Sequence, residues 1–140
     1  MAAESGPLDV RVLTPVGAVY AGGATMVVAP GEAGPVGLLP RHEPMVCTLA
    51  YGKTRVVGAD GGEAVFATSE GYVTIDGSEV LVLVEQAIPV EMIDLARAQA
   101  DLRAAEDALE TAGDDEVVRT NADAEKRRAE NLIKVAEEQK

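Results

Sequence analysis

Tryptophan is absent, and phenylalanine, cysteine and histidine occur once each, in a 140-residue chain whose hydrophobic residues still make up 47%. With one Phe and three Tyr as its only aromatics, any core must be aliphatic and thin, dominated by Val and Leu. A single cysteine excludes an internal disulfide. Cys47 lies in the apolar run Met45, Val46, Cys47, Thr48, Leu49, where it reads as a buried small hydrophobe rather than a reactive thiol. The lone histidine, His42, excludes a His-rich metal site and a dyad of histidines, and without a nearby Cys a zinc site is excluded as well. Basic residues are scarce, 12 Lys/Arg against 24 Asp/Glu, for a net charge of −12. The excess is spread evenly: residues 1–88 hold 4 Lys/Arg and 10 Asp/Glu, and residues 89–140 hold 8 and 14. Such a chain repels phosphate backbones and anionic lipid, which argues against nucleic-acid binding and direct membrane docking. Long hydrophobic runs are missing too; stretches such as Val80 to Val84 fall far short of the roughly 20 residues that span a bilayer. Met1 to Pro7 holds Glu4 and no basic or apolar block, so no secretory or organellar signal is read there and a bacterial cytoplasmic setting is expected.

What is present is a change of period near Pro89. Before it, apolar residues alternate, as in Leu8, Val10 and Val12 between Asp9 and Arg11. Further strands are predicted at Ala18–Tyr20, Ala24–Ala29, Val36–Leu39, Met45–Ala50, Thr54–Val57, Ala64–Thr68, Gly71–Ile75 and Val80–Glu85. Turns fall at Gly58 to Glu63 and at Asp76, Gly77, Ser78. Nine short strands at this spacing predict a sandwich or flattened barrel of about nine or ten strands. Pro89, unable to donate to a ladder, is expected to end the sheet. After it, Leu95, Ala98, Leu102, Ala105, Leu109 and Ala112 form a heptad seam on a helix predicted from Glu91 to about Thr111. Gly113 is the predicted stop and Asp114 the predicted N-cap of a second helix, Asp115 to about Glu138, with Val118, Ala122, Ala129, Leu132 and Ala136 on one stripe. The fold expected is α+β: a β-sandwich domain over residues 1–88, then an antiparallel two-helix hairpin over 89–140. An Ala burial contributes only about 0.8 kcal/mol against roughly 1.5–3 for a Leu, so the hairpin is expected to be loosely fastened.

Neither Ala21, Gly22, Gly23 nor Gly58 to Gly62 is followed by Lys-Ser/Thr or opens a helix, which excludes a Walker-type phosphate loop. No nucleophile, base and orienting acid fall into a recognisable arrangement, and no enzyme activity is expected.

One run is too ordered for a generic loop: Gly34, Pro35, Val36, Gly37, Leu38, Leu39, Pro40, Arg41, His42, Glu43, Pro44. Its glycines suit a tight turn, Leu38 and Leu39 are expected to plug the sandwich, and the prolines stiffen a loop presenting Arg41 and His42. The run resembles the Gly-x-x-Gly-Ile/Leu-Leu-Pro-x-His-x-Pro signature of the epsilon subunits of bacterial F-type ATP synthases. Leu8 to Pro15 with Gly17 and Tyr20, Thr68 to Val73, and Val80 to Ala87 are similar to other strands of that family. Ile93, Asp94, Leu95, Ala96, Arg97, Ala98 fits its Ile/Leu-Asp-x-x-Arg-Ala helix motif, so the resemblance covers essentially the whole chain.

The resemblance implies a non-catalytic rotor subunit of the central stalk, linking gamma to the c-ring so that proton flow drives ATP synthesis. Its partners would be gamma, the c-ring and the catalytic head subunits, and its place the cytoplasmic face of the bacterial inner membrane, reached only through the complex. In that family the hairpin either folds on the β domain or extends along gamma and blocks ATP hydrolysis, and in some members bound ATP favours the folded form. No cofactor is required; regulatory ATP is the one ligand implied. The partner interface maps onto Leu38, Pro40, Arg41, His42 and Pro44, with simple exposure as the bland reading of His42. A nucleotide site maps onto Ile93, Asp94, Arg97, Ala98 and Arg128. Against it stand an ordinary Asp94–Arg97 ion pair and a solvated basic patch of Lys126, Arg127 and Arg128. Pro35 and Ile88 replace residues that relatives often have acidic, and Leu132 one that can be basic. The alternative function is a free-standing ATP-sensing binding module.

Overall fold

The structure, a computed structural model, describes residues 7–139; the reading of Met1 to Gly6 as lacking a targeting signal lies outside them. The chain divides into two compact units between Pro89 and Val90.

In the first unit ten strands are found among the described residues: β1 (Leu8–Thr14), β2 (Gly17–Ala24), β3 (Met26–Gly31), β4 (Gly34–Leu38), β5 (His42–Leu49), β6 (Gly52–Val57), β7 (Glu63–Thr68), β8 (Gly71–Gly77), β9 (Glu79–Val84) and β10 (Ala87–Pro89). They hydrogen-bond in the order β10-β7-β6-β3-β5-β8-β9-β1-β2, with β4 on β3, and form a sandwich close to a closed barrel. All pairings are antiparallel except β1 with β9. The predicted alternation of β1 holds: Leu8, Val10 and Val12 are buried while Asp9 and Arg11 face water. They join Val27, Leu38, Leu49, Val73 and Val82 in an aliphatic core whose only large ring is Phe66, met edge-on by Tyr20 at a centroid distance of 6.4 Å.

Three expectations are corrected. The predicted strand Ala24–Ala29 is two, because Thr25 turns out of the β2 ladder and sends its N–H and hydroxyl to the Val57 carbonyl at 2.7 and 3.1 Å. Pro89 does not stand outside the sheet: Ala87, Ile88 and Pro89 pair with Thr68, Ala67 and Phe66 as β10. A proline is tolerated there because β10 is an edge strand, with a ladder on one side only. Cys47 is half-buried and packs against the core from its margin.

The second unit opens with a 3-10 turn, Val90–Met92, followed by α1 (Leu95–Thr111) and α2 (Glu116–Glu138). The α-helix therefore starts after Asp94 rather than at Glu91: Asp94 is the N-cap, its carboxylate accepting the Arg97 N–H at 3.1 Å. Gly113 takes φ +59, the left-handed conformation that ends helices, as read from sequence. The N-cap of α2 is Asp115, not Asp114; one carboxylate oxygen of Asp115 accepts the Val117 and Val118 N–H groups at 3.1 and 3.2 Å. Buried positions on the two helices are Ala98, Ala105, Ala122, Ala129 and Val135. The last displaces the predicted Ala136, and Val118 is 40% exposed.

Candidate functional site

The signature run forms β4, a turn and the start of β5. Gly31 and Gly34 face each other across the β3–β4 hairpin, where a Cβ on Gly31 would lie 2.7 Å from the Gly34 carbonyl oxygen. Gly34 itself has φ +133. These two glycines are obligatory to the turn, whereas Gly37 sits in open space with ordinary backbone angles.

Successive residues of a strand point to opposite faces, so two adjacent leucines cannot both enter one core. Leu38 is fully buried and Leu39 is 54% exposed. This corrects two expectations at once: only Leu38 plugs the sandwich, and Leu38, assigned to the partner interface, offers no surface to a partner. Leu39 takes its place among the exposed residues, and strand alternation was the signal that could have found it.

Beyond Leu39 the chain turns through Pro40 and Arg41. Arg41 adopts φ +62, the sole left-handed non-glycine residue described. For a residue with a Cβ this conformation costs about 1–2 kcal/mol. Its guanidinium is held out in solvent. His42 is half-buried, its Nδ1–H donating to the Glu43 carbonyl at 2.8 Å. The β5–β8 register slips between His42, opposite Gly77, and Met45, opposite Ile75, which leaves one extra residue on β5. Pro44 falls on this bulge, where its missing N–H breaks no ladder bond. Pro40, Arg41, His42 and Pro44 thus lie together at one corner of the β unit.

The residues of the nucleotide reading lie in the hairpin, and the structure sets them differently from expectation. Asp94 serves as a cap, meeting the Arg97 backbone rather than its side chain. The Arg97 guanidinium pairs instead with Asp101, at 3.6 Å one turn on. Arg128 pairs with Glu125, and Arg127 with Asp123 at 3.6 Å. Ala98 is buried, so it gives no open surface for the close approach of a ligand. Ile93 is half-buried and closes the 3-10 turn through its N–H to the Val90 carbonyl at 3.3 Å. These are the contacts of a capped helix and exposed ion pairs, each pair worth about 0–1 kcal/mol.

On the β unit a salt bridge joins Arg55 to Glu63 at 2.7 Å across β6 and β7. The hydrogen bond from Arg55 holds the Glu63 carboxyl below its ordinary range. Burial of Tyr20, whose hydroxyl donates to the Gly23 carbonyl at 2.9 Å, pushes that phenol upward. Among the described residues no group of three or more His, Cys, Asp or Glu is placed to hold a metal ion. No described helix is long and apolar enough to cross a membrane.

The two units are thus a β-sandwich with a glycine-turned His-x-Pro corner and a helical hairpin whose helices are each capped by an aspartate. Residues 7–90 match the family described as "ATP synthase, Delta/Epsilon chain, beta-sandwich domain". The chain is 39% identical over 107 residues to the ATP synthase epsilon chain of Bordetella petrii, covering 76% of each. It is 42% identical over 99 residues to the epsilon chain of Acidithiobacillus ferridurans, covering 71% of this chain and 70% of that one. In fold it is similar to a chain in the Euglena gracilis mitochondrial ATP synthase (TM-score 0.78, 21% identity, 92% of this chain and 81% of that one). A chain of the Tetrahymena thermophila central stalk and c-ring assembly is similar as well (TM-score 0.60, 14% identity, 95% and 98%). The chain belongs to the ATP synthase delta/epsilon chain family. Its role is that of a non-catalytic rotor-stalk subunit of the synthase.

Proposed function

We propose that the first unit, ending at Pro89, forms the domain that links gamma to the c-ring, and that the second, from Val90, forms a hairpin domain that regulates ATP hydrolysis at the catalytic head. The partner-facing corner is Pro40, Arg41, His42 and Pro44, with Leu39 in place of Leu38. The complex sits on the cytoplasmic face of a bacterial inner membrane, and the chain reaches that membrane only through its partners.

The observation that carries the regulatory part is the make-up of the hairpin's buried positions: four of the five are alanine. At about 0.8 kcal/mol per methyl group, such a seam supplies only a few kcal/mol. Two arrangements separated by so little can be exchanged by a ligand or a partner contact. Regulatory ATP is the ligand of this reading, with Arg97 and Arg128 as its phosphate partners and Ile93 and Asp94 beside them. Both arginines would exchange a surface carboxylate for phosphate, an exchange of charge-assisted bonds in which little is lost.

The test is truncation after Pro89, which keeps β10 whole. The shortened chain should still assemble and support proton-driven ATP synthesis, while ATP hydrolysis by the complex rises. Unchanged hydrolysis would remove the regulatory part; loss of assembly would remove the assignment of the partner contacts to the β domain. Titrating the full chain with ATP, followed by backbone amide shifts at Asp94, Arg97 and Arg128, decides the ligand. A free-standing sensor would show those shifts and yet be missing from the purified synthase.

A further inference from the structure

Aspartate is followed by glycine at two places in the sequence, Asp60-Gly61 and Asp76-Gly77. Both fall at hairpin turns, and the fold treats them oppositely. Asp60 and Gly61 are exposed at the tip of the β6–β7 hairpin. The Asp60 carboxylate is folded back over the peptide that follows it: its Oδ1 accepts the Gly62 N–H at 2.9 Å and lies 3.2 Å from where a Cβ on Gly62 would stand. Gly61 takes φ +85, a conformation that favours glycine, with open space where a side chain would be. Its N–H donates to the Gly58 carbonyl at 3.0 Å, a bond within an exposed turn that opens by local fraying. Asp76 and Gly77 lie instead within the ladder, Asp76 opposite Glu79 on β9 and Gly77 opposite His42 on β5. Their peptide is pinned from two sides, and turning it requires two strand pairs to unzip.

We infer that Asp60 is a modification site, isomerising to isoaspartate in the folded chain, and that the sheet protects Asp76 from the same reaction. The chemistry needs the backbone nitrogen of the next residue to reach the carboxyl carbon, and a following glycine puts no side chain in its way. The Gly61 nitrogen bonds to the Asp60 Cγ; the neutral carboxyl loses its hydroxyl and the nitrogen its proton, together one molecule of water, and a cyclic imide remains. Water then adds to either imide carbonyl. Breaking the bond from nitrogen to Cγ restores aspartate. Breaking the bond from nitrogen to the main-chain carbonyl carbon leaves Gly61 attached through Cγ and frees the α-carboxyl of Asp60, which is isoaspartate. Nothing is oxidised or reduced, and water is the one co-reactant. The product carries an additional methylene in its main chain, inside the turn that the Gly58 N–H closes on the Gly62 carbonyl at 2.8 Å. The change stays local, because the ladder resumes at Val57 opposite Glu63 and the buried side chains Val56 and Val65 stand behind it.

The test ages the full folded chain in heavy-oxygen water near neutral pH and digests it afterwards in ordinary water. Cleavage after glutamate puts the two aspartates on separate peptides, since Glu63 and Glu70 lie between them. Mass spectrometry should find heavy oxygen at Asp60, and electron-transfer fragmentation should identify isoaspartate there. Asp60 should convert about ten-fold faster than Asp76, the ratio that about 1.4 kcal/mol of additional opening cost produces. In denaturant, with both turns free, the two rates should converge. Asp60→Glu, whose imide would need a larger ring, should abolish labelling at this position. Asp60→Asn closes the same imide with loss of ammonia and should reach isoaspartate sooner. The inference is overturned if the folded chain gains no label at Asp60, or if Asp76 is labelled as fast. It is overturned equally if the difference between them persists in denaturant, for then the neighbouring residues and not the fold would set it, or if the Asp60→Glu chain is still labelled there.

Discussion

Thr54 and Thr68 share a hydrogen bond of 2.9 Å between their hydroxyls inside the sheet, where both residues are buried. Thr54 on β6 faces Phe66, and Thr68 on β7 faces Gly52, so the bond runs diagonally across the ladder. Replacing one member removes a partner from a buried polar group, whereas replacing both removes the demand for one. Thr54→Val alone should therefore cost about 1–3 kcal/mol in chemical denaturation. The Thr54→Val, Thr68→Val double variant should recover most of that loss. A double variant as unstable as the sum of the singles would show that the hydroxyls serve other partners.

The two adjacent leucines of the signature run should behave oppositely. Leu38→Ala leaves a cavity in a core with few large side chains, and a loss of about 2–5 kcal/mol is expected. Leu39→Ala lies in solvent and should change stability by less than about 0.5 kcal/mol, while weakening retention in the synthase. Denaturation midpoints of the isolated chain and co-purification with the complex separate the two effects. Equal destabilisation by both would contradict the alternation that buries one and exposes the other.

Much of this architecture was legible where a single physical rule governs a residue. Period two in Leu8, Val10 and Val12 fixed which face of β1 enters the core, and Gly113 marked the helix end by its tolerance of positive φ. The misreadings arise where two rules compete. Asp114 and Asp115 are equally good caps by type, and only the backbone path after Gly113 decides between them. Pro89 forbids a central strand but not an edge one, and sequence does not say which edges exist. The continuous apolar run Val80 to Val84 signals a strand with both faces apolar. The nucleotide residues were assigned by resemblance, and intrahelical geometry gave Asp94 and Ala98 structural duties.

Acid should report the Arg55–Glu63 bridge. Glu63 titrates below its ordinary value because Arg55 hydrogen-bonds the charged form. A carboxyl with a depressed folded value binds its proton more weakly when folded. Its contribution to stability is therefore present above the unfolded value near 4.5, and is lost as pH falls through the lower folded one. Between about pH 5 and pH 3 the unaltered chain should lose stability more steeply than Glu63→Gln. Because the pair is exposed, the difference should shrink in high salt. Parallel pH profiles for the two proteins would show that the bridge does not hold in solution.

The hairpin offers a way to test regulation without removing it. A groove between α1 and α2 is lined by Ala104, Ala105, Ala108, Val118 and Ala122. Ala108→Leu would fill it with three further carbons beside Val118, and cavity-filling changes of this kind add about 0.5–2 kcal/mol. Asp94→Ala works in the other direction, removing the α1 cap at a cost of about 1 kcal/mol. Amide hydrogen exchange along α1 and α2 should slow in the first variant and quicken in the second. If regulation requires the two helices to part, ATP hydrolysis by complexes carrying Ala108→Leu should exceed that of the unaltered synthase, since the inhibiting form becomes harder to reach. Asp94→Ala should lower it. Exchange rates that move as expected while hydrolysis stays constant would show that the helices act as one body, and the seam between them would then be structural only.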